Sequence, residues 1–152
     1  MRETNRLMVQ DVPHGSFVAM SYAIIDVQAK KLLLASAGHL APIHCRANGQ
    51  LSYLDIPGAT LPLGIHPDVD YETLEIVLEP GDTLVLYTDG LVEAQKTSRE
   101  LFGFERLETV VQRGRGLAPE KLIDQIVHEI GLFTSPAQLH DDMTIVVVQL
   151  EE

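Results

Sequence analysis

Glu79-Pro80-Gly81-Asp82-Thr83-Leu84-Val85-Leu86-Tyr87-Thr88-Asp89-Gly90-Leu91-Val92-Glu93-Ala94 is the stretch whose reading decides the fold. A tight turn at Pro80-Gly81-Asp82 feeds a run of β-formers, Thr83 to Thr88, which stops at Asp89-Gly90. Alternation sends Thr83, Val85 and Tyr87 to one side and Leu84 and Leu86 to the other. Both sides are largely apolar, so the run reads as a strand buried on both faces, with Asp89 delivered at its end. A carboxylate held by a buried strand, with glycine behind it, suits a hard metal ion. The plainer alternative is that Asp89-Gly90 forms a hairpin turn. Further along, His140-Asp141-Asp142-Met143-Thr144 opens a second apolar run, Ile145 to Val148. If the two strands are neighbours, Asp89 and Asp141 converge.

The whole chain sets the bounds. At 152 residues it is expected to form one domain, long enough to bury a core without covalent staples. A net charge of -11 argues against nucleic acid and against an anionic membrane surface as partners. The single cysteine, Cys45, fits a reducing compartment and, set in the alternation Ile43, Cys45, Ala47, reads as a packed core thiol rather than a nucleophile. No basic-then-apolar leader opens the chain and no apolar run reaches spanning length, so a cytoplasmic, soluble protein is expected.

Taken in order, Met1 to Asp11 is the tail of a helix or a ragged end, closed by a turn at Pro13-His14-Gly15. Phe17 to Val27 reads as a long strand, Asp26 to Lys31 as a hairpin loop and Leu32 to Ser36 as the returning strand. Asn48-Gly49 joins the short strands Ile43 to Arg46 and Leu51 to Leu54. Pro57 to Asp70 is an ordered loop, and Thr73 to Leu78 alternates again. Then the period changes. Phe104, Leu107, Val110 and Val111 recur at helical spacing. A second helix starts at Ala118-Pro119-Glu120 and carries the stripe Leu122, Ile123, Ile126, Val127 and Ile130, with Gly131 as its expected terminator. Antiparallel strands, two helices and a last strand make an α+β fold, with helices packed on a sheet face.

Seven short motifs carry a resemblance: Ala35-Ser36-Ala37-Gly38-His39, Leu61-Pro62-Leu63-Gly64, Glu79-Pro80-Gly81-Asp82, Tyr87-Thr88-Asp89-Gly90, Glu93-Ala94, Leu101-Phe102-Gly103 and Asp141-Asp142-Met143-Thr144. Their order and spacing resemble the bacterial stage II sporulation E-type serine phosphatases, a branch of the metal-dependent, type 2C-like protein phosphatases. The resemblance runs from about Asn5 to Leu150. It implies an αββα sandwich of antiparallel sheets flanked by helices, here partial, with a centre for two Mn²⁺ or Mg²⁺ ions that polarise water and clamp phosphoryl oxygens. It also implies a phosphoprotein substrate, commonly the phosphoserine anti-sigma-factor antagonist of a partner-switching pathway. Residue by residue, Asp89 and Asp141 match metal-binding aspartates. Asp142 and Thr144 match hydrogen-bonding supports rather than direct ligands, and Gly90 matches the position where backbone packs closely behind the metal.

One departure bears on activity. The family's Gly-Asp-x-x-Gly-x-Gly segment, whose aspartate bridges both metals, has no counterpart here; Asp11 lacks the glycines and Asp26 sits at the wrong end of its strand. The chain is therefore expected to be the C-terminal two-thirds of the phosphatase domain and a poor catalyst as it stands. It should also leave an apolar edge or face open, an invitation to form a homodimer. His39 could serve as general acid, against the plainer reading of a turn histidine holding backbone through its ring. His140 could be a ligand, against a solvent-facing loop histidine. His14, His44, His66 and His128 show no zinc-ligand spacing. Two other readings stand beside the enzyme: a phosphatase-like module that binds a partner protein without turnover, and an unrelated β-rich binding domain.

Overall fold

A computed structural model describes residues 1–13, 15–57, 61–135 and 141–151. His14 and His140, considered above, lie outside the described residues. In chain order the elements are α1 (Arg2–Asp11), β1 (Met20–Asp26), β2 (Lys31–Ala37), β3 (Ile43–Cys45), β4 (Leu51–Tyr53), β5 (Leu74–Val77), β6 (Thr83–Tyr87), α2 (Asp89–Val92), α3 (Gly103–Arg113), α4 (Pro119–Thr134) and β7 (Ile145–Gln149). They fall into two compact units, one made of Met1–Ala41 with Leu54–Leu78 and the other of Pro42–Tyr53 with Glu79–Glu152.

The first unit is built on a three-stranded antiparallel sheet in the order β1-β2-β5. Its hairpin forms where the sequence indicates. Asp26 Oδ1 accepts the Ala29 N–H at 2.8 Å, and Lys30 takes a left-handed φ of 53° to close the turn. The central strand β2 buries Leu32, Leu34, Ala35, Ser36 and Ala37. The first strand is shorter than Phe17 to Val27. Pairing stops at Met20↔Ala37, because β2 gives way to the Gly38 turn, and Val18 bridges instead to Leu63. Among the described residues β1 has a neighbour on one side alone, and its Tyr22 and Ile24 are about half exposed. The ragged start resolves into α1. Its Asn5 is fully buried, donating from Nδ2 to the His66 carbonyl at 2.8 Å and accepting the Gly64 N–H at 2.9 Å. That pair of bonds satisfies both ends of the amide and fixes the Leu63–Val69 segment, whose Leu63 and Val69 side chains are also buried.

The second unit carries a four-stranded antiparallel sheet in the order β4-β3-β6-β7. β6 lies inside it, and Thr83, Leu84, Val85 and Tyr87 are all buried, as its two apolar faces require. The Asn48-Gly49 turn joins β3 to β4, with Gly49 at φ +92° and Asn48 Oδ1 accepting the Gln50 N–H at 2.8 Å. Helix α3 buries Leu107, Val110 and Val111. Helix α4 buries Leu122, Ile126 and Ile130, a strict four-residue row, whereas Val127 falls off that row and stays 48% exposed. Gly131 does not end α4. The helix runs on to Thr134, whose hydroxyl donates to the Ile130 carbonyl at 3.0 Å and so closes the last turn from within. α4 packs on α3 and on β7, the arrangement expected of helices covering one sheet face.

Candidate metal centre

The site grows from the pairing of β6 with β7. Their register runs from Thr83↔Gln149 to Tyr87↔Ile145. Beyond it the two backbones stay locked together. The Thr88 N–H donates to the Thr144 carbonyl at 3.1 Å, the Thr144 N–H donates to Thr88 Oγ1 at 3.0 Å, and Thr88 Oγ1 donates to the Asp142 carbonyl at 3.4 Å. Thr88 is thus a three-bond clasp between the ends of two strands. The chain then turns into α2 rather than a hairpin, with the Leu91 N–H reaching the Thr88 carbonyl at 3.2 Å and the Glu93 N–H the Asp89 carbonyl at 2.9 Å.

Gly90 completes the clasp. A Cβ placed there would lie 2.5 Å from the Asp142 carbonyl oxygen and 3.2 Å from its carbon, so any side chain would push the two segments apart. Asp89 and Asp141 therefore leave adjacent backbone at one end of the sheet, both solvent-exposed. Each carboxylate is steadied by the next amide: Gly90 N–H to Asp89 Oδ1 at 3.0 Å, and Asp142 N–H to Asp141 Oδ1 at 2.8 Å. Neither Oδ2 atom takes a hydrogen bond among the described residues. Asp142 and Thr144 act in the clasp through their main chains, not their side chains.

Two other sequence candidates make contacts of their own. His39 sits in a turn closed by Ser36. The His39 N–H contacts Ser36 Oγ at 3.3 Å, Ser36 Oγ donates to the His39 carbonyl at 3.2 Å, and the His39 ring Nδ1 lies 3.3 Å from the Leu40 carbonyl. That is the turn-holding role. Cys45 is 1% exposed and free, and burial pushes its thiol pKa up, away from the reactive thiolate.

Sequence reasoning missed a buried pair, His44 and Asp82. His44 Nε2 lies 2.8 Å from Asp82 Oδ2, which also accepts the Glu79 N–H at 3.1 Å, and Asp82 Oδ1 accepts the Ala47 N–H at 3.0 Å. Burial alone would raise the Asp82 pKa, but the Glu79 and Ala47 N–H groups and His44 outweigh it and hold the carboxyl below its ordinary value. Asp82 fastens the start of β6 to the β3–β4 loop, at the end of the strand opposite Asp89. The available signal was a histidine in the middle of an apolar strand, Ile43-His44-Cys45; spacing along the chain could not name its partner on another strand.

A profile of the family described as "Stage II sporulation protein E (SpoIIE)" matches residues 1–151. The chain belongs to that family. Among its relatives is "Phosphoserine phosphatase RsbU" of Bacillus subtilis, 28% identical over 98% of this chain and 44% of RsbU. The solved SiaA-PP2C domain of Pseudomonas aeruginosa superposes with a TM-score of 0.82 at 20% identity, covering 99% of this chain and 58% of that one. The phosphatase domain of SpoIIE from Bacillus subtilis, solved after presoaking with Mn, gives 0.67 at 22% identity over 88% of this chain and 56% of that one. The SpoIIE-family chain described here thus has the type 2C-like phosphatase fold and spans about half the length of these relatives. Among the described residues no helix is long and apolar enough to cross a membrane.

The donor chemistry at the clasp fits a hard divalent cation in part. Asp89 and Asp141 offer exposed oxygen ligands with unshared Oδ2 atoms, and oxygen is what Mn²⁺ and Mg²⁺ take, with water filling the remaining positions. Among the described residues no three His, Cys, Asp or Glu side chains converge to make a fuller cage. These residues would hold one ion weakly, not build a two-ion centre by themselves.

Proposed function

We propose that this chain is the strand-end aspartate portion of a metal-dependent phosphoserine/phosphothreonine protein phosphatase, the C-terminal two-thirds of the complete domain. Its substrate would be a phosphoprotein of the anti-sigma-factor antagonist type in a partner-switching pathway. The observation that carries the reading is the clasp of Thr88 and Gly90 on Asp142 and Thr144, which sets Asp89 beside the segment bearing Asp141. The family membership and the name of the relative RsbU support the reaction class. When bound, Mn²⁺ or Mg²⁺ supplies Lewis-acid polarisation of phosphoryl oxygen and water. The chain's own contribution is placement: Asp89 and Asp141 hold the cation, while the clasp keeps their backbones from separating.

A second reading, a phosphatase-like module that binds a partner without turnover, is favoured by one observation: the described residues bring two carboxylate-bearing residues to the site and no third donor. Both readings meet in one experiment. Mn²⁺ is titrated into ¹⁵N-labelled protein, and paramagnetic broadening is followed beside release of phosphate from a phosphoserine peptide. Broadening centred on residues 88–92 and 141–145, absent in Asp89→Asn and Asp141→Asn, is the expected result. Broadening elsewhere on the chain refutes the site. Turnover by the chain alone is expected to be slow or absent, since a few kcal/mol of lost transition-state stabilisation is two or more orders of magnitude in rate. Brisk Mn²⁺-dependent turnover would eliminate the non-catalytic reading and show that two aspartates suffice.

A further inference from the structure

α2 begins at Asp89 and carries the metal end of β6 toward α3. Its two ends are held by different elements. At its start the Leu91 N–H reaches the Thr88 carbonyl at 3.2 Å; past its end the Ala94 carbonyl accepts the Phe102 N–H at 2.8 Å, one residue before α3. α2 also packs on α3. The placement of Asp89 therefore depends on how α3 is seated over the sheet. Leu107, Val110 and Val111 bury α3, but apolar attraction is non-directional and leaves rotation about the helix axis weakly fixed.

Tyr53, on β4, supplies a directional contact. Its hydroxyl donates to Glu108 Oε1 on α3 at 2.6 Å. Phe104, one turn earlier on α3, meets the Tyr53 ring edge-on at 6.4 Å. The pairings Tyr53↔Ile43 and Ile43↔Val85 put Tyr53 on the sheet face that carries Val85 and, two residues on, Tyr87. The Tyr87 hydroxyl is buried and takes no hydrogen bond among the described residues. A buried hydroxyl without a partner is costly, and such a group calls for an explanation. Tyr53 directs its own proton at Glu108, which leaves its oxygen free to accept one. Burial pushes both phenols above their ordinary value and each feels the other, so both protons stay in place.

We propose that Tyr53 is a positioning residue for the metal centre, the middle of a relay in which Tyr87 O–H donates to Tyr53 and Tyr53 donates to Glu108. The relay closes a ring: β6 leads through α2 into α3, and Glu108 and Tyr53 tie α3 back to β6 two residues before Asp89. With the ring closed, α3 cannot turn on the sheet without straining Tyr87, so the carboxylate of Asp89 is held where the Thr88 clasp leaves it. The inference rests on the reading of Asp89 and Asp141 as the metal-holding pair and adds what steadies the first of them.

The test is Mn²⁺ affinity, read from paramagnetic broadening of residues 88–92 and 141–145 in the intact chain, with urea unfolding measured beside it. Tyr53→Phe keeps the ring and removes both bonds, and should weaken Mn²⁺ binding about three- to tenfold. Glu108→Leu should do the same and serves if Tyr53→Phe fails to fold, while Glu108→Gln keeps an acceptor and should recover most of the affinity. The double variant Tyr53→Phe with Glu108→Leu should bind no worse than either alone, since one relay is broken once. Asp82→Asn, at the opposite end of β6, should lower the urea midpoint and leave Mn²⁺ affinity unchanged, which separates positioning from stability. Wild-type affinity in Tyr53→Phe, losses that add in full in the double variant, or an equal loss in Asp82→Asn would overturn the proposal. Wild-type protein that shows no broadening at 88–92 and 141–145 would instead refute the metal site itself, and this inference with it.

Discussion

Gly90→Ala tests the clasp that defines the site. The main chain at Gly90 is helical and its φ is negative, so alanine is conformationally welcome and a neutral site would gain about 0.5–1 kcal/mol from the exchange. The surroundings oppose it. The new Cβ would meet the Asp142 carbonyl oxygen at 2.5 Å, where carbon and oxygen settle at about 3.3–3.6 Å, so the strand ends must part by close to 1 Å. Overpacking of this kind costs about 1–3 kcal/mol. The Thr88 Oγ1 bonds to Asp142 and Thr144 are the first to be strained. We expect a net loss of about 1–2 kcal/mol, read as a lower urea midpoint at unchanged slope. Gly131→Ala is the matched control, because nothing among the described residues lies within 4 Å of its Cβ and it sits inside α4. That variant should be stabilised by about 0.5–1 kcal/mol. If the two substitutions shift the midpoint alike, the close approach of the two segments is not what holds Asp89 and Asp141 at one end of the sheet.

Other outcomes follow from the same geometry. Asp82→Ala leaves buried His44 and the Ala47 and Glu79 N–H groups without their acceptor, and should cost about 3–5 kcal/mol by urea unfolding, more than Asp89→Ala at its exposed position. Because the folded carboxyl of Asp82 lies below its ordinary value of 3.8, its contribution is present above that pH and fades as pH falls through the lower folded value. Stability measured down this acid range should therefore decline less steeply in Asp82→Asn than in the wild type. Tyr87, pushed up to about 12 chiefly by burial, should keep its proton until well above pH 10, with stability falling between pH 10 and 12 as the unfolded chain ionises first; because burial also raises Tyr53 and Tyr71, a Tyr87→Phe variant should show a smaller alkaline loss, and an unchanged loss would contradict the assignment. Cys45 should resist a thiol reagent in native buffer and react at once in denaturant, and rapid labelling of the folded protein would contradict its packing.

Much of this protein was written in local pattern. The two apolar faces of Thr83 to Tyr87 marked an interior strand, and β6 is interior. The Asn48-Gly49 and Asp26 to Lys31 turns, the row Leu107, Val110 and Val111, and the proline at the start of α4 were likewise visible, since turn chemistry and helical period act over a few residues. Local signals also misled. Gly131 looked like a terminator, but the buried row on α4 continues to Thr134 and packing overrides a single weak helix former. Phe17 to Val27 looked like one strand, but the number of partners available on β2 set its length, and Val18 left for Leu63.

What the sequence determined by itself was the placement of Asp89 and Asp141 at the ends of two apolar runs. Tertiary structure alone decided that those ends meet, through the register Tyr87↔Ile145 and the contact of Gly90 with Asp142. It alone also paired His44 with Asp82, buried Asn5 against His66 and Gly64, and set Tyr53 against Glu108. Periodicity reports which face of an element seeks the core. Which residue of a distant element lies opposite is set by strand register and packing, and those depend on the whole chain at once.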